Sequence, residues 1–183
     1  MARFGITPEK VWGVPMPALA RLAKQIGRSD QFAEELWSTG MHDARLLAAI
    51  VDSPGGVTEI QMERWAIDFE NWTVVDGCCG KLFDKTPYVY RKAVKWGQRK
   101  EEYVKRRAVS LMAWLSAHDK WAPESRFLRF LPMIERAAKD KWNVVKRAVN
   151  WALRQIGKRN LRLNRAAIKT ARAIQLLDSK SAR

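Results

Sequence analysis

The chain has 183 residues, 47% apolar and 29% charged, with 34 Lys/Arg against 19 Asp/Glu and a formal net charge of +15. That length favours one domain or one array of repeats, and the composition is that of an ordinary soluble globular protein. No run approaches the ~18 consecutive apolar residues of a membrane span, and no signal-peptide pattern opens the chain, so a cytoplasmic protein is expected.

Helix periodicity dominates, and no segment sustains strand alternation. Pro17 opens a helix that Gly27 stops after Ile26. Ser29 caps a helix over 30–38, ended by Gly40, and His42–Asp52 follows, up to the break at Ser53-Pro54-Gly55-Gly56. Thr58, with Gln61 three residues on as in a capping box, starts a helix running towards Phe69. Another covers Trp72–Phe83, and Thr86-Pro87 begins one that ends at Gly97. The remaining segments are Glu101–Ala117, Pro123–Ala138, Lys141–Ile156 and Leu161–Leu177. Mostly short helices joined by tight turns predict antiparallel pairs stacked side by side.

An internal repeat supports stacking. Arg107-Ala108-Val109 recurs as Arg147-Ala148-Val149 at an offset of 40, preceded by Lys105-Arg106 and by Lys146. That offset falls in the ~40–47-residue range of HEAT repeats. The pattern predicts one all-α, HEAT-like solenoid over 1–183, built of helix pairs with a basic concave face. If Lys105, Arg106, Lys146 and Arg147 share that face, they would track a phosphate backbone; a purely solvent-facing placement fits the spacing equally.

Charge is unevenly spread. Residues 1–90 carry 9 Lys/Arg against 12 Asp/Glu, residues 91–138 carry 12 against 5, and residues 139–183 carry 13 against 2. A polyanion would therefore meet the second half, and nucleic acid is the commonest such partner. Cys78 and Cys79 are the only cysteines, and His42 and His118 the only histidines. Adjacent thiols without nearby imidazoles make a poor zinc site, so no metal is expected and the thiols read as buried packing.

The segment Glu70–Gly80 places Trp72 and Asp76 four residues apart, on one helix face. A carboxylate amid Val74, Val75, Cys78 and Trp72 either pairs with a neighbouring helix or does chemical work. Trp151 lies four residues after Arg147 and three before Arg154, so the indole could meet a sugar or base while the cations hold phosphates. Trp12, Trp37, Trp65, Trp96 and Trp114 read as core by their spacing.

The string YVKRRAVSLMAWLSAHDK, then FLRFLPMIERAAKD and VVKRAVNWALRQIGKRN, with HDARLLAAIVD, DFENWTVVD and LFDKTPYVY upstream, resembles the DNA alkylation repair family of AlkD type. The similarity runs from Gly13 to the C-terminus. The resemblance implies a HEAT-like monofunctional glycosylase that excises N3- and N7-alkylated purines from duplex DNA without metal or organic cofactor, as a monomer. It implies Asp76 as the catalytic carboxylate, Trp72 as the aromatic one turn before it, Arg106 as the arginine on the adjacent phosphate, and Trp151 as the second aromatic. The basic side chains expected on DNA are Lys105, Arg107, Lys146, Arg147, Arg154, Lys158 and Arg159.

Such chemistry suits these residue types. A cationic alkylpurine leaves without protonation, and a carboxylate beside the sugar stabilises the oxocarbenium character and orients water. Indoles against the deoxyribose favour developing positive charge. Two departures stand out: Glu70-Asn71-Trp72-Thr73 replaces the family's usual D-S-W-D, which touches helix capping, and the N-terminus is expected to be shortened. The alternative is a non-enzymatic HEAT-like protein that binds damaged or branched DNA and asks nothing of Asp76.

Overall fold

The computed structural model describes residues 10–99 and 101–176, which form ten α-helices, one 3₁₀ turn and no strand. The helices are α1 (Met16–Ile26), α2 (Asp30–Ser38), α3 (His42–Val51), α4 (Glu59–Ile67), α5 (Trp72–Lys81), α6 (Val89–Gly97), α7 (Glu102–His118), α8 (Glu124–Ala138), α9 (Asn143–Gly157) and α10 (Leu161–Gln175). They fall into two compact units that divide after Val89.

Local chemistry sets most boundaries. Ser29 Oγ accepts from the Phe32 amide (3.2 Å) and Thr58 Oγ1 from that of Gln61 (3.1 Å), each satisfying an orphan donor of a first turn. Gly27 adopts φ 79° after α1, a left-handed value that closes a helix cheaply only for glycine. Two expectations shift. The helix expected to reach Phe83 stops at Lys81, and Phe83–Lys85 forms the 3₁₀ turn; the next helix starts at Val89, behind Thr86, whose side chain bonds back to the Phe83 carbonyl (2.8 Å). The capping box is also only half formed, because the Gln61 side chain donates its Nε2 to Asp52 Oδ2 (2.6 Å) instead of reaching back to Thr58. Leu177, the expected end of the last helix, lies outside the described residues.

In each unit, helices two apart in sequence pack together: α1, α3 and α5 in the first, α7 with α9 and α8 with α10 in the second. This register is what successive helical hairpins produce when stacked, each supplying the apolar face its neighbour needs. The first core centres on Trp37 and Trp65, stacked at 4.0 Å and 4°. Deleting a buried indole of this kind costs ~3–5 kcal/mol. In the second unit Ala108, Val109, Ala148 and Val149 are buried, so the repeated Ala-Val pairs are the apolar seam where α7 meets α9.

Candidate functional site

Helix α5 carries the carboxylate. Asn71 caps it, its Oδ1 accepting from the amides of Thr73 (3.1 Å) and Val74 (3.2 Å). Because that oxygen accepts, the Asn71 Nδ2 donates to His42 Nδ1 at 3.2 Å, which leaves the imidazole proton on Nε2, towards Thr73 Oγ1. His42 is buried, and burial holds its pKa below the usual value by disfavouring the imidazolium. The departure at Glu70–Thr73 thus leaves α5 properly capped and tied to α3. Glu70 pairs with Arg45 at 2.5 Å, which also donates to the Asp68 carbonyl at 3.0 Å.

Val74, Val75, Cys78 and Cys79 form the buried face of α5. At Gly77 the backbone runs so close to α3 that a Cβ would stand 2.8 Å from Leu46 Cδ2. With that face committed to the core, Trp72 and Asp76 are left half-buried on one side of the helix, one turn apart. Solvent reaches both, as a group that must meet a substrate requires.

The second unit carries the basic residues. On α9 and its C-cap, Arg147, Trp151, Arg154 and Lys158 fall within a narrow arc, since spacings of four, seven and eleven return to one face. Arg147, Arg154 and Lys158 are exposed and Trp151 is half-buried. At 1.5 Å rise per residue this stripe is about 16 Å long, a length over which a nucleic-acid strand offers several phosphates. Trp151 meets Trp114 of α7 edge to face (5.0 Å, 90°), and His118 packs against Trp114 at 4.7 Å. Trp114 is therefore a half-buried partner of Trp151. Trp12 is 70% exposed, while Trp37, Trp65 and Trp96 are core as expected.

The other expected cations divide differently. Arg107 is buried, its guanidinium 4.4 Å over the Trp96 ring, and it does not face solvent despite sharing its triplet with exposed Arg147. Arg106 is buried too and donates to the Val144 carbonyl, while Lys105 pairs with Asp140; both brace α7 against the start of α9. Lys146 is half-buried, and Arg159 is turned onto backbone carbonyls of the last turn of α7 and the loop that follows it. Arg162, Arg165, Lys169 and Arg172, which sequence reasoning passed over, form a second exposed basic row on α10. Their spacing of three and four residues was the available signal. Among the described residues no three His, Cys, Asp or Glu gather as a metal site would require, and no helix is long and apolar enough to cross a membrane.

Stacked helical hairpins with a strongly cationic second unit describe a HEAT-like repeat protein of the kind that handles nucleic acid. The family model for the DNA alkylation repair enzyme matches residues 1–180, and the chain belongs to that family. A solved structure described as "a new family of proteins related to the HEAT-like repeat DNA glycosylases with affinity for branched DNA structures" shares its fold, with a TM-score of 0.84 and 24% identity over 93% of this chain and 74% of that one. No protein with curated function matches the sequence significantly.

Proposed function

We propose that this protein is a monofunctional glycosylase that removes cationic N3- and N7-alkylated purines from double-stranded DNA. The observation that carries the reading is Asp76, held half-buried one turn after Trp72 on a capped helix of a DNA alkylation repair family member. The bond between deoxyribose C1′ and the purine nitrogen breaks, and its electron pair leaves with the base, cancelling the base's positive charge. Asp76 faces the oxocarbenium-like sugar, stabilises its charge and orients the water that adds at C1′. The water's proton passes to the carboxylate or to solvent, leaving an abasic site and a neutral alkylpurine.

Trp72 offers π-rich surface to the cationic sugar, and Trp151, in the second unit, is a further aromatic contact to the DNA. Arg147, Arg154 and Lys158 hold phosphates, and Lys146 flanks them. Arg106 serves as a positioning residue, because it is buried and secures the start of the helix that bears Trp151. No metal or organic cofactor takes part, and the working unit is a single copy of the whole chain.

The test is base release from methylated duplex DNA. Wild-type protein releases 7-methylguanine or 3-methyladenine; Asp76→Asn binds the same DNA but releases neither. Full release by that variant overturns the assignment. A second reading is a non-enzymatic binder of branched DNA, which the affinity described for the similar solved structure favours. It requires tight, salt-dependent binding by the wild type with no base release.

A further inference from the structure

The turn between α7 and α8 is built more firmly than its length requires. Asp119 Oδ1 accepts from the amides of Trp121 (3.2 Å) and Ala122 (2.9 Å), and its Oδ2 accepts from the Tyr90 hydroxyl at 2.7 Å. From the other side Arg159 donates to the carbonyls of Ser116 (2.9 Å), Lys120 (3.4 Å) and Ala122 (3.5 Å). The Arg159 guanidinium is itself seated 3.8 Å over the Phe127 ring. Burial pushes the Tyr90 hydroxyl up to about 12, so it remains a donor at every physiological pH.

What this braced turn presents is Trp121, which is 96% exposed. An indole so placed buries almost no surface and contributes next to nothing to folding. Nor does the sequence around it form an apolar patch of the size that docks proteins, for the exposed residues that flank it in the chain are His118, Lys120, Pro123, Ser125 and Arg126. Both acidic groups near it are engaged, Asp119 by the turn amides and the Tyr90 hydroxyl, and Glu124 by Asn160 (2.9 Å) and Arg162 (3.2 Å). An exposed aromatic face on an ordered turn, flanked in sequence by Lys120 and Arg126, fits one occupant best: a nucleobase stacked on the ring, with its phosphates offered to those charges.

We propose that Trp121 is a stacking platform for an unstacked nucleobase of DNA, such as the extra base of a bulge or the open step at a branch. This rests on the DNA-binding reading above but not on glycosylase activity. Pre-ordering the loop lowers the entropic cost of capturing the base.

The experiment compares a fully paired duplex with the same duplex carrying one bulged 2-aminopurine. Binding is followed by anisotropy, and stacking by 2-aminopurine emission. For Trp121→Ala, affinity for the bulged duplex should fall about tenfold while that for the paired duplex changes by less than about twofold, because stacking acts on the free base alone. Quenching of the probe should vanish, and Trp121→Phe should restore most of both effects. The salt dependence should stay as in the wild type, since no charge is removed. Equal affinities for wild type and Trp121→Ala on the bulged duplex, or equal losses on both duplexes, overturn the proposal while leaving DNA binding intact. Failure of the wild type to bind either duplex overturns both readings.

Discussion

The two units share an architecture and differ in how they use charge. The first carries 9 Lys/Arg against 12 Asp/Glu; the second carries 25 against 7. In the first, several cations bind within the unit: Arg28 to the Ile50 and Asp52 carbonyls, Arg45 to Asp68 and Glu70, Arg64 to Glu34. In the second, Arg147, Arg154, Lys158, Arg165, Lys169 and Arg172 stand exposed in helical rows. Packing apolar helix faces leaves the outer faces free to vary, so one scaffold can present a carboxylate in one region and gather polyanion contacts in another.

Separating the two roles experimentally is the sharpest use of this contrast. The largest effect is expected at Asp76→Asn, where base release from methylated duplex should drop at least about a hundredfold, the scale of losing one preorganised electrostatic group. DNA affinity should barely move. Next, replacing Arg147, Arg154 and Lys158 together by Ala should weaken binding and reduce the slope of log K against log salt by about 3. Arg21 and Lys24, exposed on α1, supply the control: their removal should leave that slope unchanged. A similar fall from both sets would erase the distinction between the units.

Smaller effects concern the support beneath Asp76. Asn71→Ala removes the cap of α5 and the partner of buried His42, so thermal unfolding should show a loss of about 1–2 kcal/mol. Base release should suffer more than DNA binding. The smallest effect involves Asp52, which is pushed up to about 6 chiefly by burial, while hydrogen bonds from Gln61 and Ser53 pull it back. The folded state then holds a proton that the unfolded chain loses near the ordinary value of 3.8. Its contribution to stability therefore falls as pH rises from about 4 to about 6. Asp30, held low by hydrogen bonding to Ser53, acts only below that window. His42 titrates with the opposite sense, destabilising the fold as pH falls below its ordinary 6.5, so the net curve conceals Asp52. Asp52→Asn isolates it: the difference in Tm from wild type should be near zero at pH 4 and favour the variant by pH 7.

Elements and caps were legible in the sequence because they depend on neighbours a few residues away, as at Ser29, Thr58 and Gly27. So was the shared side of Trp72 and Asp76, which follows from helical spacing alone. Burial was less legible. Arg107 and Arg147 sit in the same triplet, yet one lies over Trp96 and the other meets solvent, because spacing names a face and not the element packed against it. The same holds for Gln61, drawn to Asp52 across the α3–α4 turn, and for Trp114, expected in the core but found half-buried beside Trp151. Trp121 gave no signal at all. A tryptophan in a turn reads as a core residue out of register until the bonds of Asp119 and Arg159 show that its outward position is built.

The interior placement of Cys78 and Cys79 has its own consequence. Both thiols lie on the helix that bears Asp76, and neither exposes any surface. Under the proposed function the protein would meet methylating electrophiles, which thiolates also attack. Packing these sulfurs beneath α5, rather than beside the carboxylate at its surface, keeps the helix from being damaged by the reagents whose lesions it is proposed to repair.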